Sequence, residues 1–328
     1  MSEFRTVLNP PVSNAKISLK DAVLTVGSCF SDTIGHLLTT YKIDSCSNPF
    51  GTLYNAHSIH NALSLAIQDQ TVSQDTFVQS QEVYRSYDFH SDLAALNEEA
   101  LSQKLHEIVH STHAFIKRAN WLLITYGTAW VYKRNDDGSI VANCHKQPAT
   151  AFTKSLLSTE DVMTSFQHFY QQLKAINPRI NIILTVSPVR HLKDTLPLNN
   201  VSKSVLRLAC HYLAERFPDV FYFPAYEIVL DDLRDYRFYK SDMIHPSPLA
   251  EDYVWTKFIH AFGAENFIAF IPQWKDILAA LAHKPFFPET LAHQRFLQQL
   301  LARLKNLQTS INVDFEIELV QNQIKILK

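Results

Sequence analysis

The sequence predicts an α/β fold with three layers, helices on both faces of a parallel sheet. Three observations carry that expectation. Five short apolar runs have the length and composition of buried strands. Long amphipathic stretches separate them, so consecutive strands pair in parallel through right-handed crossovers. At 328 residues, 46% of them hydrophobic and 19% charged, the chain can build a large core without disulfide or metal support.

The runs are AVLTV (22–26), KIDSC (42–46), WLLITYG (121–127), INIILTVS (180–187) and VFYFPAY (220–226). FSDTIGHLLTTY follows the first and HSIHNALSLAIQ the second. Residues 98–119 set Leu101, Leu105, Ile108 and Val109 on one stripe, as a helix packed on a sheet requires. EDVMTSFQHFYQQLKAI and VSKSVLRLACHYLAERF precede the fourth and fifth runs. Two segments stand outside this alternation. Residues 70–95 form a long connection, of the sort that usually covers a site or lies disordered. Residues 130–152 read as a hairpin around NDDG, carrying Asn143, Cys144 and His145 back across the top of the sheet. The expected division is one domain over residues 1–265 and an extension over 266–328. The extension begins as a helix, with Leu297, Leu300, Leu301 and Leu304 on one face, and ends in NVDFEIELVQNQIKILK, which alternates like a strand pair.

Thirty Lys and Arg stand against 32 Asp and Glu, with no block of one sign, so no nucleic-acid or anionic-membrane partner is expected. Cys29, Cys46, Cys144 and Cys210 are widely spaced, which reads as reduced thiols and offers no metal-ligand spacing. With no apolar leader or 20-residue apolar stretch in view, a cytoplasmic location is expected. No cofactor and no metal are implied. The leucine face of the extension suits an oligomer contact.

Ligands of an open parallel sheet bind beyond the carboxyl ends of its strands. There the sequence places Ser28, then Asn48 and Gly51, then Gly127 and Thr128, then Arg190, and finally the turn DMIHPS with Asp242 and His245. Ser247 and Pro248 read as the cap and first residue of the next helix. Asp242 and His245, three apart in one turn, can aim together, the carboxylate fixing the imidazole tautomer and leaving Nε2 as a base. A serine needs such a base, because its hydroxyl is a poor nucleophile at neutral pH. Ser28 can therefore be either a helix cap or the nucleophile of a Ser28–His245–Asp242 triad. The Ser28 and Gly51 amides are expected to form an oxyanion hole, worth about 3 kcal/mol per donor.

The residues Gly27-Ser28-Cys29-Phe30, followed by NPFGTLYN, ITYGTAWVY, NCHKQP, SPVRH and DMIHPS, resemble the GSCFA family, a branch of the SGNH (GDSL-like) hydrolase superfamily. The resemblance runs from about Val26 to Phe258. It implies a flavodoxin-like five-stranded sheet, Ser28 as nucleophile, Asp242 and His245 as acid and base, and Gly51 as second oxyanion donor. The sequence departs from the superfamily at the third strand's end, where Gly127-Thr128-Ala129-Trp130 stands in place of GxND. Asn143 or His145 would then supply the third donor, unless the hole has fewer.

Asn48, His90, Trp130, His145 and Arg190 are candidates for the substrate pocket, Arg190 also for an ion pair at the sheet's rim. The expected activity is hydrolysis of a small ester, a carbohydrate O-acyl group by analogy within the superfamily. Acyl transfer by the same triad, or a binding protein with a vestigial site, are the alternatives.

Overall fold

The computed structural model describes residues 5–326. Strand β1 (Ala22–Gly27) leads into helix α1 (Cys29–Thr40), and β2 (Asp44–Ser47) into α2 (Ala56–Ile67). A hairpin of β3 (Phe77–Ser80) and β4 (Val83–Ser86) precedes α3 (Glu98–Arg118) and β5 (Trp121–Tyr126). Next come β6 (Trp130–Arg134), β7 (Ile140–Val141), β8 (Phe152–Leu156) and α4 (Thr159–Ile176). Then follow β9 (Asn181–Val186), α5 (Leu196–Arg216), β10 (Val220–Tyr222) and a single helical turn, α6 (Ala225–Glu227). The chain ends in α7 (Pro248–Phe262), α8 (Glu265–Ala282), α9 (Leu291–Leu307) and α10 (Asp314–Ile326).

The five expected strands form one parallel sheet in the order β10-β9-β5-β1-β2. Counting only these strands, that is the flavodoxin-like order. Side chains alternate between two apolar cores because successive residues of a strand face opposite ways. Leu24, Val26, Leu122 and Ile124 pack with helices α2 to α5. Val23, Trp121 and Leu123 pack with α1 and with helices α7 to α10. The C-terminal helices thus bury Trp274, Leu297, Leu300 and Val320 in the same core as the central strands.

Three segments differ from expectation. Residues 314–326 are helical where a strand pair was expected over 312–328; residues 327–328 of that expectation lie outside the described residues. Both periods coexist there. The helical set Val313, Ile317 and Val320 is buried, whereas Phe315, which strand alternation would place on one face with Val313 and Ile317, is 71% exposed. The long connection at 70–95 contains the β3–β4 hairpin, closed by Gln81 and Glu82, both at positive φ. The expected hairpin at 130–152 is a three-stranded sheet in which β6 pairs with β7 over two residues and with β8 over five.

The centre of the main sheet is drawn tight at one residue. Gly27 has φ +139°, and a Cβ there would lie 2.2 Å from Thr125 O of β5. Its N–H donates to Asn48 Oδ1 (2.8 Å), and its carbonyl accepts from Leu53 N–H (2.9 Å). Gly27→Ala is expected to destabilise the fold by about 3 kcal/mol, since the clash is with backbone. Asn48→Ala, which leaves the buried Gly27 amide unpaired, should cost about 1–3 kcal/mol. Urea midpoints of the two variants against wild type check both values.

Candidate active site

The turn after β10 is built as the spacing predicts. Ser247 caps α7 by accepting from Ala250 N–H, with Pro248 in the first turn. His245 Nδ1 lies 2.7 Å from Asp242 Oδ2, while Asp242 Oδ1 accepts from the amides of Ile244 (2.8 Å) and His245 (3.0 Å). These amide bonds first, and then the imidazole, hold the Asp242 carboxyl well below the usual carboxylate range. With Nδ1 given to the carboxylate, Nε2 is the nitrogen left for chemistry. Both side chains are 43% exposed.

Arg190 attaches this turn to the end of β9. Its guanidinium donates to Met243 O and lies over the rings of Tyr239 and Tyr236, 4.8 and 5.7 Å from their centroids. Among the described residues no acid pairs with it, and its hydrogen bond goes to the loop that carries His245.

At the other side of the crevice, Ser28 occupies the N-cap of α1, but its hydroxyl makes no capping bond. The residue is 1% exposed, and Oγ is buried without a hydrogen-bond partner. His245 is thus not bonded to Ser28, and the three triad residues are not joined. The expected oxyanion amides are also engaged: Ser28 N–H donates to Thr125 O (3.0 Å), and Gly51 N–H to Asn48 O (2.8 Å). Both donations close backbone turns and ladders at the strand ends, so neither amide is a free donor here.

The other expected pocket residues divide. Asn48 spends its amide on structure, accepting from Gly27 N–H and donating to Asp32 Oδ1 (2.7 Å). His90 stays at the crevice, its Cβ against Gly51, whose φ of +69° and close neighbour exclude a side chain. Asn143 and His145 are not donors at the site. Asn143 Oδ1 accepts from His145 N–H (2.8 Å), and the buried His145 ring lies 2.7 Å from Ser86 O and 3.3 Å from Ser91 Oγ. Donation from Nε2–H to the Ser86 carbonyl leaves Nδ1 to accept from Ser91, and burial lowers the His145 pKa. That stapling, with Ala142 N–H on Tyr87 O, draws residues 142–145 down to the 86–91 segment instead of across the sheet. Trp130 turns aside as well, its indole N–H reaching Leu198 O (3.3 Å) beneath Lys154. A cavity of about 800 Å³ between α2 and α4, lined by His57, Asn61, Gln68, Lys133, Glu160 and His168 among others, includes none of the expected site residues.

Lys203 was not foreseen. It is 1% exposed, and Nζ donates to Gly127 O and Ser187 O, both at 2.7 Å, clamping the ends of β5 and β9. The signal is present in the sequence: Lys203 falls on the buried stripe Asn199, Ser202, Leu206, Cys210 and Leu213 of α5. Burial lowers its pKa from 10.5 to about 7. Cys29 is an electrostatic neighbour of Lys203, as it is of Tyr54 and Asp32.

A base whose folded pKa is depressed binds fewer protons in the folded protein than in the unfolded chain, here between pH 7 and about 10.4. Stability contributed at Lys203 therefore rises with pH across that window and is constant below it. Relative to Lys203→Met, wild type should gain stability between pH 7 and 9.5, read as diverging urea midpoints.

Among the described residues no helix is long and apolar enough to cross a membrane. A search of curated proteins finds no match to the chain. Among solved structures, a crystal structure of an acetyl esterase mutant with acetate ion matches at 10% identity and a TM-score of 0.37, covering 78% of this chain and 99% of that one. A family 3 carbohydrate esterase from Talaromyces cellulolyticus matches at 9% and 0.34, covering 78% and 99%. The family 3 carbohydrate esterase of Clostridium thermocellum matches at 12% and 0.31, covering 80% and 100%. At such identities and scores, activity has to be argued from this chain's own geometry. The profile described as "GSCFA domain protein, C-terminal domain" matches residues 274–326. The GSCFA family profile itself matches residues 22–258, the span that carries β1, the crevice and the Asp242–His245 turn, and the chain belongs to the GSCFA family.

Proposed function

We propose that the chain hydrolyses a small ester through an acyl-enzyme formed at the β1–α1 junction, with His245 as general base and acid and Asp242 as its partner. The observation that carries this reading is the 2.7 Å Nδ1–Oδ2 contact, with the second carboxylate oxygen held by two amides. Such a pair fixes one imidazole tautomer, stabilises the imidazolium formed on proton uptake and leaves Nε2 free. In the reaction Nε2 takes the nucleophile's proton as it attacks the ester carbonyl, then returns it to the departing alcohol. A water, deprotonated by the same nitrogen, releases the acid. Ser28 is the nucleophile that the sequence nominates, and Cys29 stands beside it.

The substrate class, a carbohydrate O-acyl group, rests on the superfamily resemblance alone. The cytoplasm is the setting we give it, in keeping with four free cysteines. Acyl transfer to an alcohol in place of water uses the same steps. A non-catalytic reading is favoured by one observation, the Ser28 hydroxyl without a hydrogen bond to His245.

Acetate release from O-acetylated sugars, measured for wild type, His245→Ala and Asp242→Ala, tests the proposal. His245→Ala should lose roughly 10²–10⁴-fold in turnover, and Asp242→Ala less. Acceptor alcohols that raise ester product without raising free acetate would favour transfer. Equal activity in wild type and His245→Ala would end the hydrolase reading.

A further inference from the structure

The oxyanion hole expected at the strand ends has its donors spent elsewhere. The Ser28 and Gly51 amides go to Thr125 O and Asn48 O. The asparagine of GxND falls at Ala129, whose side chain is a buried methyl and whose amide donates to Ser202 Oγ (2.7 Å). The neighbouring Thr128 hydroxyl lies 3.0 Å from Ser202 Oγ and accepts from the Trp130 amide (3.1 Å). Negative charge developing on an ester oxygen here needs a donor from another segment.

His191, in the connection from β9 to α5, carries such a donor. Its ring stands edge to face on Tyr54, with centroids 5.4 Å apart and planes at 86°. Nε2 leans over the end of β5, where a Cβ on Gly127 would come within 3.3 Å of it. The backbone is fixed as well, the His191 amide donating to the buried Asn199 Oδ1 (3.0 Å). The ring is half-buried, and among the described residues no hydrogen bond engages either of its nitrogens.

Three connections tie this ring to the candidate site. Gly127 is two residues past Thr125, whose carbonyl holds the Ser28 amide (3.0 Å). Tyr54 follows Leu53, whose amide holds the Gly27 carbonyl (2.9 Å). Arg190, the residue before His191, donates to Met243 O in the turn that carries His245. In this structure no hydrogen bond joins the ring to Ser28 or His245. Burial first, and then the Lys203 cation, push the His191 pKa down to about 4, against Asp194, which raises it. At neutral pH the imidazole is therefore uncharged, and a neutral imidazole of lowered pKa can polarise a substrate carbonyl.

We propose that His191 is the missing oxyanion donor, its Nε2–H standing in for the amide that GxND would supply. This rests on the ester-hydrolase reading above. As the nucleophile bonds to the ester carbon, the carbonyl π pair moves onto oxygen, and Nε2–H donates to that oxygen. The ring keeps its proton throughout. On collapse the C=O bond re-forms, the C–O bond to the alcohol breaks, and His245 protonates the leaving oxygen. With no other hydrogen bond to fix the tautomer, the oxyanion selects the one with hydrogen on Nε2.

Steady-state turnover of p-nitrophenyl acetate by wild type, His191→Phe, His191→Gln and His245→Ala tests the inference. Phe keeps a flat ring against Tyr54 without a donor, whereas Gln sets an amide N–H near the place of Nε2. His191→Phe should lose about 10²–10³-fold in kcat, with KM within about twofold of wild type. His191→Gln should regain at least about tenfold of that loss. If His191→Phe does not fold, His191→Ala serves in its place with the same expected loss. The ratio of wild-type to His191→Phe rates should be equal at pH 6 and pH 9. The ring and Tyr54 are neutral at both, Asp194 is present in both proteins, and Lys203, pushed down to about 7, titrates in both. A kcat within about threefold of wild type in His191→Phe, with His245→Ala inactive, would overturn the inference and leave the hydrolase reading intact. A loss confined to KM, a loss that Gln does not relieve, or a ratio that changes with pH would overturn it likewise. Equal turnover in wild type and His245→Ala would sink both.

Discussion

Much of this structure depends on the close passage of β1 against β5 at Gly27, where no side chain fits. The 2.2 Å that a Cβ would have to Thr125 O means that the two strands can stay in register to their ends only with glycine at that position. From there the Asn48 side chain and the Leu53 amide tie the chain after β2 to the same residue. The Ser28 amide then continues the ladder to Thr125, and α1 starts at once. One glycine thus sets where Ser28 is locked to the sheet and where α1 begins.

Polar groups around the crevice are mostly spent on holding strand ends together. Lys203 gives two hydrogen bonds to carbonyls, Asn48 bridges β1 to Asp32, and Tyr54 O takes two amides. Buried polar groups left unpaired cost about 1–3 kcal/mol each, so this saturation keeps the crevice rigid. The exposed Asp242–His245 pair is ordered by a different device, three hydrogen bonds within its own turn and the Arg190 contact to Met243. A rigid floor and a separately folded turn meet at the strand ends.

How far the sequence could be read depended on whether a segment's pattern admitted one period or two. The strands were legible because runs such as Trp121–Tyr126 are buried on both faces and have no helical alternative of sufficient length. The turn at 242–248 was legible because its hydrogen bonds are local, between residues two and three apart. Residues 314–326 were not, since their apolar positions satisfy a period of two as well as 3.6. Only packing against the core of α1 and α7 to α9 selects Val313, Ile317 and Val320. The path of Asn143 and His145 was equally hidden, because their partners, Ser86, Tyr87 and Ser91, lie more than fifty residues away.

The sequence by itself determined the layer architecture, the strands of the main sheet, the family, and the pairing of Asp242 with His245. The architecture, the strands and the pairing follow from composition, periodicity or short-range spacing, which act along the chain, and the family from the resemblance of its motifs. Tertiary structure alone decided which carbonyl the Ser28 amide would meet, where the Asn48 amide would be used and that a lysine would close the ends of β5 and β9. Those outcomes depend on strand register and on approaches of 2.7–3.0 Å between segments from 16 to 97 residues apart. Local sequence carries no record of such distances.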